Sequence, residues 1–227
     1  MNTLNLLPSI TLEPNQHATY CTIWMHGLGA DGNDFTPVIS ELNTAITEKM
    51  RFVFPHAPIR PVTINSGYPM RAWFDIYDLS LDSKVDQEGI QESVHHINQL
   101  ISHEIRKGIP AQHIFLAGFS QGSVIALIAG LTHFQTLGGV IALSGFLPMT
   151  NDAILELRSP ANQHLPIFLA HGQQDSTVPY PLGLMTKALL EQVNQPVSWH
   201  AYPIPHSVCS EEMQDISSWL MSKMEEE

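Results

Sequence analysis

Short apolar runs alternate with helical periodicities along most of this chain. The apolar runs have the length of strands, and amphipathic patterns with a repeat of three to four residues fill the intervals between them. Such alternation is typical of βαβ units, which build a mainly parallel central sheet with helices on both faces. The pattern therefore predicts an α/β fold. The predicted strands are Tyr20–His26, Arg51–Pro55, Ile114–Phe119, Gly139–Ser144, Pro166–His171 and Val197–Tyr202, with a weaker one at Ile10–Leu12 that could pair as an edge hairpin.

The clearest helical pattern extends from Asp86 to Lys107. Its apolar positions recur every three or four residues, whereas charged and amide side chains occupy the other face. Gly108 follows directly and predicts a C-terminal cap. Further helices are predicted to start near Gln121, Tyr180 and Ser210.

One long segment, Ala57 to Asp82, shows neither periodicity. It contains several prolines together with Tyr68, Trp73 and Phe74. Long aromatic loops on a compact domain often form lids or binding walls, so we expect this segment to line a binding site. The alternative is a loop that only covers one edge of the sheet.

Size and charge narrow the class of protein. With 227 residues, of which 44% are hydrophobic, we expect residues 1–227 to form a single domain with one sizeable core. The 22 acidic and 10 Lys or Arg residues give a formal net charge of −12. Because such a chain repels phosphate backbones and anionic headgroups, we expect no nucleic-acid partner and no stable membrane insertion.

The cysteines and the N-terminus bear on the compartment. Cys21 and Cys209 are the only cysteines, and they lie far apart with no metal-ligand spacing, which indicates neither a disulfide framework nor a zinc site. The first residues lack the basic start of a secretory signal, and the longest apolar stretch, Val124 to Leu131, is about half of what a bilayer-crossing helix needs. We therefore expect a cytoplasmic protein.

The strongest local motif is Gly-Phe-Ser-Gln-Gly at positions 118–122. A GxSxG pattern alone is weak evidence, but this one lies between a predicted strand and a predicted helix. A sharp turn there would hold Ser120 in a strained conformation and present its hydroxyl to a substrate, with the positive end of the following helix at the same point. The motif predicts a nucleophilic serine. The alternative is a glycine-rich helix start without chemistry.

A serine nucleophile needs a base, and the base needs a group that orients it. Asp175 follows the strand Pro166–His171, and His206 follows the strand Val197–Tyr202. In α/β-hydrolases the acid and then the histidine come after the serine, each in a loop at the carboxyl end of a later strand. We therefore predict Asp175 as the acid and His206 as the base, although Asp175 could be only a turn residue and His206 only structural.

Acyl transfer also needs donors for the oxyanion of the tetrahedral intermediate. The backbone N–H of Gln121 is the first candidate. The second is the N–H of Leu28, because the glycine-rich loop at 26–32 follows an early strand and lets the backbone approach a ligand closely. This loop matches neither the GxGxxG nor the Walker phosphate-binding pattern, so we expect no nucleotide site.

Seven motifs together resemble those of the bacterial carboxylesterases and eukaryotic acyl-protein thioesterases, a family that includes lysophospholipases. The likeness covers nearly the whole chain. The motifs are HGLGADGNDF at 26–35, FPHAPIRPVTIN at 54–65, WFDI at 73–76, GIPAQHIFLAGFSQGS at 108–123, LSGFLP at 143–148, HGQQDSTVP at 171–179 and PHSVCSEE at 205–212.

The resemblance implies an α/β-hydrolase fold, a triad of Ser120, Asp175 and His206, and an oxyanion hole formed by Leu28 and Gln121. It also implies that no cofactor and no metal are needed. A short hydrophobic acyl channel is expected near Leu28, Trp73 and the neighbouring loop, with Gly29 and Trp73 as substrate-binding residues. Two departures, Ser123 where a third glycine is common and Pro205 before the histidine, leave the preferred acyl chain length open.

The expected reaction is hydrolysis of a small-molecule ester or thioester, a lipid or an acylated protein through an acyl-enzyme on Ser120. Two alternatives remain from the sequence. A lysophospholipase would use the same triad, and a non-catalytic binding protein would use only the scaffold. A homodimer also stays open, because the oligomeric state is not settled by the sequence.

Overall fold

The computed structural model describes residues 6–77 and 85–225 of the chain, and a seven-stranded sheet forms its centre. All of its long strands are rich in apolar side chains, which suits a sheet that is covered on both faces. In chain order, the strands of the described part are β1 (Ser9–Leu12), β2 (Tyr20–Met25), β3 (Met50–Pro55), β4 (Ile59–Val62), β5 (Tyr68–Arg71), β6 (Ile114–Phe119), β7 (Gly139–Leu143), β8 (Ile167–Gly172) and β9 (Val197–Tyr202).

The order of strands in the sheet is β1-β3-β2-β6-β7-β8-β9. Only β1 is antiparallel to its neighbour, and every other pair in this sheet is parallel. The carboxyl ends of β6, β8 and β9 therefore lie along the same edge of the sheet. The loops that carry Ser120, Asp175 and His206 begin at these ends.

Helices cover both faces of the sheet, as the pattern predicted. Alternate strand residues contribute to two apolar cores, one on each face, so that Ile23 and Met25 point to one core and Trp24 points to the other. Helices α2, α3, α4 and α5 pack on the first core, and α1 and α6 pack on the second. The helices are α1 (Thr44–Thr47), α2 (Gln87–Arg106), α3 (Gln121–Thr132), α4 (Asn151–Leu157), α5 (Tyr180–Gln192) and α6 (Ser210–Glu225).

The long amphipathic helix α2 lies where its periodicity predicted it. Asp86 caps its N-terminus, since Oδ1 accepts a hydrogen bond of 3.0 Å from the N–H of Gly89. Gly108 follows its C-terminal end with φ of +103°, a left-handed conformation that favours glycine. The caps confirm both predicted ends within one residue.

Two predictions about the strands are wrong. The first strand, β1, does lie at the sheet edge, but it pairs with β3 instead of forming a hairpin with its neighbour in sequence. The segment from Ala57 to Asp82 is not entirely irregular, because β4 and β5 form a separate two-stranded antiparallel hairpin in which Pro61 faces Pro69. Proline cannot donate to a ladder, so prolines in a small two-stranded hairpin disguise its strand character in the sequence. Residues 78–82 of the segment lie outside the described residues.

Among the helices of the described residues, none combines the length and the apolar character that crossing a bilayer requires.

Candidate active site

Ser120 occupies a strained turn between β6 and α3. Its backbone has φ of +54° and ψ of −117°, a conformation that a non-glycine residue rarely adopts. The turn is tight enough to require its glycines: a Cβ on Gly118 would lie 2.2 Å from the carbonyl oxygen of Gly122, and one on Gly122 would lie 2.3 Å from that of Met25. The Ser120 N–H donates to the carbonyl of Leu143 at 2.8 Å, which fixes the turn to β7.

The three predicted side chains lie in hydrogen-bonding contact. Nε2 of His206 is 2.9 Å from Oγ of Ser120, and Nδ1 of His206 is 2.6 Å from Oδ2 of Asp175. A carboxylate accepts hydrogen bonds, so Nδ1 carries the proton and Nε2 is left as an acceptor facing the serine hydroxyl. The ring of Phe119 supports the imidazole at a centroid distance of 4.7 Å.

The loop after β8 holds the Asp175 carboxylate in one orientation. Oδ1 accepts hydrogen bonds of 2.9 Å from the N–H groups of both Thr177 and Val178, while Oδ2 faces His206. The side chain of Asp175 is fully buried. Backbone donors stabilise the ionised form of a buried carboxylate, which is the form that orients an imidazole and stabilises its protonated state.

A second imidazole, that of His171, lies beneath the same carboxylate. Its Nε2 is 2.8 Å from the carbonyl oxygen of Val178 and 3.5 Å from Oδ2 of Asp175. Burial lowers the pKa of His171, so its ring is neutral and its Nε2–H donates to Val178. His171 thus packs against the loop that carries Asp175. This supporting role was not predicted from the sequence.

Leu28 and Gln121, whose N–H groups are the predicted oxyanion donors, line the cavity that also contains Ser120. The N–H of Gln121 is the first of helix α3, where backbone donors have no intrahelical acceptor. The N–H of Leu28 has no hydrogen-bond partner within residues 6–77 and 85–225. Gly29 continues this loop with φ of +77° and donates to the carbonyl of Arg71 at 2.9 Å, which anchors the turn beside Leu28.

His26, just before this loop, is locked in one neutral tautomer. Its Nδ1–H donates to the carbonyl of Gly27 at 2.7 Å, and its Nε2 accepts from the N–H of Ala57 at 3.1 Å. Burial lowers the pKa of His26 from 6.5 to about 4. The imidazole therefore holds the candidate oxyanion loop at a fixed position relative to Ala57, just after β3.

A mostly apolar cavity of about 590 Å³ opens at Ser120. The segment predicted as a binding wall supplies one side of it, as expected. The other side was not predicted, and it comes from the loop after β7 and from one face of α5. The first side is lined by Ile64, Asn65, Phe74, Asp75, Ile76 and Tyr77, and the second by Phe146, Leu147, Pro148, Met149, Thr150, Leu182, Met185, Thr186 and Leu189.

The place predicted for Trp73 needs correction. Its side chain is completely buried and does not line the cavity, whereas its neighbour Phe74 does. The indole Nε1–H donates to the carbonyl of His26 at 2.9 Å. Trp73 therefore supports the wall from behind. Gly29 is exposed at the edge of the loop and is likewise not part of the cavity lining.

One signal in the sequence does point to the missed side of the cavity. Leu182, Met185 and Leu189 have the three- to four-residue spacing of a single helical face, and α5 begins directly after the acid loop. No group of three or more His, Cys, Asp or Glu side chains in the described part of the chain is placed to hold a metal ion.

The mostly parallel sheet and the Ser–His–Asp arrangement at its carboxyl edge define a serine hydrolase of the α/β-hydrolase fold. A family profile described as Phospholipase/Carboxylesterase matches residues 8–224, and the chain belongs to this family. It is an enzyme that hydrolyses carboxylic esters or thioesters.

Named relatives support this assignment. The acyl-protein thioesterase 1 of Yarrowia lipolytica is 36% identical over 224 residues, covering 96% of this chain and 98% of the relative. That of Neurospora crassa is 35% identical over 232 residues, covering 99% of this chain and 95% of the relative.

Solved structures share the fold. Arabidopsis thaliana SOBER1 aligns with a TM-score of 0.86 at 29% identity, covering 92% of this chain and 100% of that one. Zea mays acyl-protein thioesterase 2 aligns with a TM-score of 0.83 at 26% identity, covering 96% of this chain and 99% of that one.

Proposed function

We propose that the chain hydrolyses long-chain acyl esters and thioesters through a covalent acyl-enzyme on Ser120, with His206 as general base and Asp175 as its orienting acid. The single observation that carries this proposal is the unbroken set of contacts from Asp175 through His206 to the strained Ser120, at 2.6 Å and 2.9 Å, at the mouth of an apolar cavity.

In the first step, Oγ of Ser120 attacks the acyl carbonyl as its proton passes to Nε2 of His206. The tetrahedral oxyanion accepts hydrogen bonds from the N–H groups of Leu28 and Gln121, whose helix also places its positive dipole end there. His206 then gives the proton to the departing alcohol or thiol, which leaves the acyl group on Ser120.

In the second step, a water molecule gives its proton to His206 and attacks the acyl carbon. The C–O bond to Ser120 breaks, Oγ regains the proton from His206, and the carboxylic acid is released. Apart from substrate and water, every group used in the two steps belongs to this chain, so the proposed mechanism calls for no cofactor and no metal.

The cavity supports an apolar acyl group as the part of the substrate that is bound. Most of its lining residues are leucines, isoleucines, methionines, phenylalanines and other apolar residues, and burial of each methylene is worth about 0.8 kcal/mol. Relatives are named acyl-protein thioesterases, so we infer that acylated proteins are the physiological class, with small esters or thioesters as model substrates.

A lysophospholipase with the same triad is the second candidate. The family description includes phospholipases, and an apolar cavity accepts a lipid acyl chain as well as a protein-bound one. A non-catalytic binding protein, the other alternative from the sequence, is at odds with membership of a family of enzymes and with a complete Ser–His–Asp arrangement.

We also infer that residues 1–227 form one domain and that the protein acts in the cytoplasm. Both cysteines are free, and Cys21 is buried, which suits a reducing compartment. Sedimentation of the purified protein distinguishes a monomer from the homodimer that the sequence left open.

A panel of p-nitrophenyl esters and matched thioesters of graded chain length tests the function on wild type and Ser120→Ala. We expect wild type to cleave both classes, with kcat/KM rising from acetyl to long chains, and Ser120→Ala to be inactive but folded by circular dichroism. An optimum at acetyl would overturn the acylated-protein and lipid assignments. Full activity in Ser120→Ala would overturn the nucleophile.

A further inference from the structure

The buried amide of Gln121 joins the nucleophile turn to the wall of the cavity. Its Oε1 accepts a hydrogen bond of 2.8 Å from the N–H of Trp73, and its Nε2 donates one of 2.6 Å to the carbonyl of Phe74. Only 4% of the residue is exposed. The side-chain amide therefore makes two hydrogen bonds to the backbone of the segment that lines one side of the cavity, although the family mechanism uses only the backbone N–H of this residue.

Two further contacts hold the same stretch of backbone from other directions. Ser93 of helix α2 is fully buried, and its Oγ donates to the carbonyl of Trp73. The indole of Trp73 donates to the carbonyl of His26, next to the oxyanion loop. Trp73 is thus the point at which the nucleophile turn, the oxyanion loop and α2 meet.

The position of the wall depends on these contacts. Phe74, Asp75, Ile76 and Tyr77 line the cavity and follow Trp73 directly in the chain. A buried N–H or C=O that loses its partner costs about 1–3 kcal/mol, so the segment is held where all of these groups are paired. Any position of the segment that leaves the amide of Gln121 unpaired would be less stable than the observed one.

We propose that the side chain of Gln121 is a positioning residue for acyl-chain selectivity, which fixes the wall at 74–77 relative to Ser120 so that a long acyl chain binds in productive register. The inference rests on the proposed function. An acetyl group is too short to leave the part of the cavity next to Ser120, whereas a dodecanoyl group extends along residues 74–77. Loosening the wall therefore penalises the long chain more than the short one.

The test compares kcat/KM for p-nitrophenyl acetate and p-nitrophenyl dodecanoate in wild type, Gln121→Met and Ser93→Ala. Methionine keeps the length of glutamine but makes neither hydrogen bond. Ser93→Ala acts on the same backbone from outside the catalytic groups, and it keeps the test informative if Gln121→Met fails to fold. The matched control is Gln195→Met, because Gln195 is also buried and its Nε2 donates to the carbonyls of Asn162 and Leu165, away from the cavity lining.

We expect the ratio of kcat/KM for dodecanoate over acetate to fall about tenfold in Gln121→Met and about threefold in Ser93→Ala, mainly through KM for the long ester. Gln195→Met should lower the thermal midpoint and leave the ratio unchanged. An unchanged ratio in folded Gln121→Met or in Ser93→Ala, or an equal drop in Gln195→Met, would overturn the inference. Absence of Ser120-dependent hydrolysis in wild type would instead overturn the proposed function itself.

Discussion

Two sets of serine, histidine and aspartate side chains make similar contacts in this fold, and only one of them has the surroundings of a catalytic site. In the proposed triad the serine–histidine and histidine–aspartate distances are 2.9 Å and 2.6 Å. In a second set, on β9 and α6, the corresponding distances are 3.0 Å and 3.3 Å. This second set consists of Ser198, His200 and Asp215.

The surroundings of the two sets differ at every member. Ser120 has φ of +54° and precedes a helix, whereas Ser198 is the second residue of the regular strand β9. The side chain of Asp175 is fully buried and accepts two backbone hydrogen bonds, whereas that of Asp215 is 41% exposed and also accepts from the hydroxyl of Tyr202 at 2.7 Å. Residue types and distances alone therefore do not make a nucleophile.

The cavities differ as well. Ser120 opens on a mostly apolar cavity of about 590 Å³, whereas Ser198 borders a cleft of about 290 Å³ at the amino ends of β8 and β9. Ser120 directly precedes the N-terminus of α3 and shares its cavity with Leu28, so the predicted oxyanion donors are available on this side only. The strained turn and the predicted donors distinguish the two sets more than the identities of their three residues do.

Replacing the two histidines should give the largest contrast. We expect His206→Gln to lower kcat for a long-chain ester by about 10⁴- to 10⁶-fold, because Ser120 loses its base. His200→Gln should stay within about twofold of wild type. Initial-rate assays on both folded variants measure the two kcat values. Comparable losses in both would indicate that the second set is catalytic.

The two aspartates sharpen the same contrast at a smaller scale. Asp175→Asn keeps the shape but presents a donor to Nδ1 of His206, which favours the wrong tautomer, and we expect kcat to fall by about 10³- to 10⁴-fold. Asp215→Asn should change kcat less than about twofold. A near-wild-type rate in Asp175→Asn would show that His206 is oriented by another group.

The cavity can be blocked without touching the triad. Leu189 lines it from α5, and Leu189→Trp should lower kcat/KM for a dodecanoyl ester about tenfold or more while the acetyl ester loses much less. Leu184→Trp is the matched control, because Leu184 lies on the same helix but is exposed and does not line the cavity. Equal losses for both esters would mean that long chains do not bind there.

The stability of the fold at acidic pH depends on His26, which directly precedes the candidate oxyanion loop. Burial lowers the pKa of His26 from 6.5 to about 4, so the unfolded chain binds more protons than the folded chain between these values. The free energy of unfolding should therefore fall as the pH falls through this window, by on the order of 3 kcal/mol. Urea unfolding at several pH values measures it. The slope should become shallower in His26→Gln, and an unchanged slope would contradict the assignment.

At higher pH the free energy of unfolding depends on Glu212, which lies on α6 with Asp215 of the second set. Burial raises the pKa of Glu212 from 4.5 to about 8, so the folded chain retains a proton that the unfolded chain has lost. This contribution to stability is present below pH 4.5 and is lost as the pH rises towards 8. Glu212→Gln mimics the neutral carboxyl and should flatten the decline between pH 6 and 8 in the same urea experiments. A decline that persists in Glu212→Gln would contradict this.

Much of the fold could be predicted because its signals are local. The apolar runs marked the parallel strands, and Asp86 and Gly108 marked the ends of α2. The positions of Ser120, Asp175 and His206 followed from the same reasoning, since the carboxyl ends of parallel strands meet at one edge of the sheet. Their mutual contacts are then a consequence of topology.

What could not be predicted depends on contacts between distant parts of the chain. The pairing of β1 with β3 instead of β2 has no local sequence signal. Trp73 is an aromatic residue of the kind that often lines cavities. Its indole N–H instead donates to the carbonyl of His26 and its backbone N–H donates to Oε1 of Gln121, so the side chain is buried behind the wall. The spacing of Leu182, Met185 and Leu189 marks one face of α5, but that this face meets the cavity depends on how the helix packs on the sheet.

Labelling with a serine-directed fluorophosphonate, followed by peptide mass spectrometry, tests whether Ser120 is the nucleophile. We expect one adduct per chain, on Ser120, with Ser198 unmodified and no labelling in Ser120→Ala. An adduct on Ser198 or on any other residue, or undiminished labelling of Ser120→Ala, would contradict it.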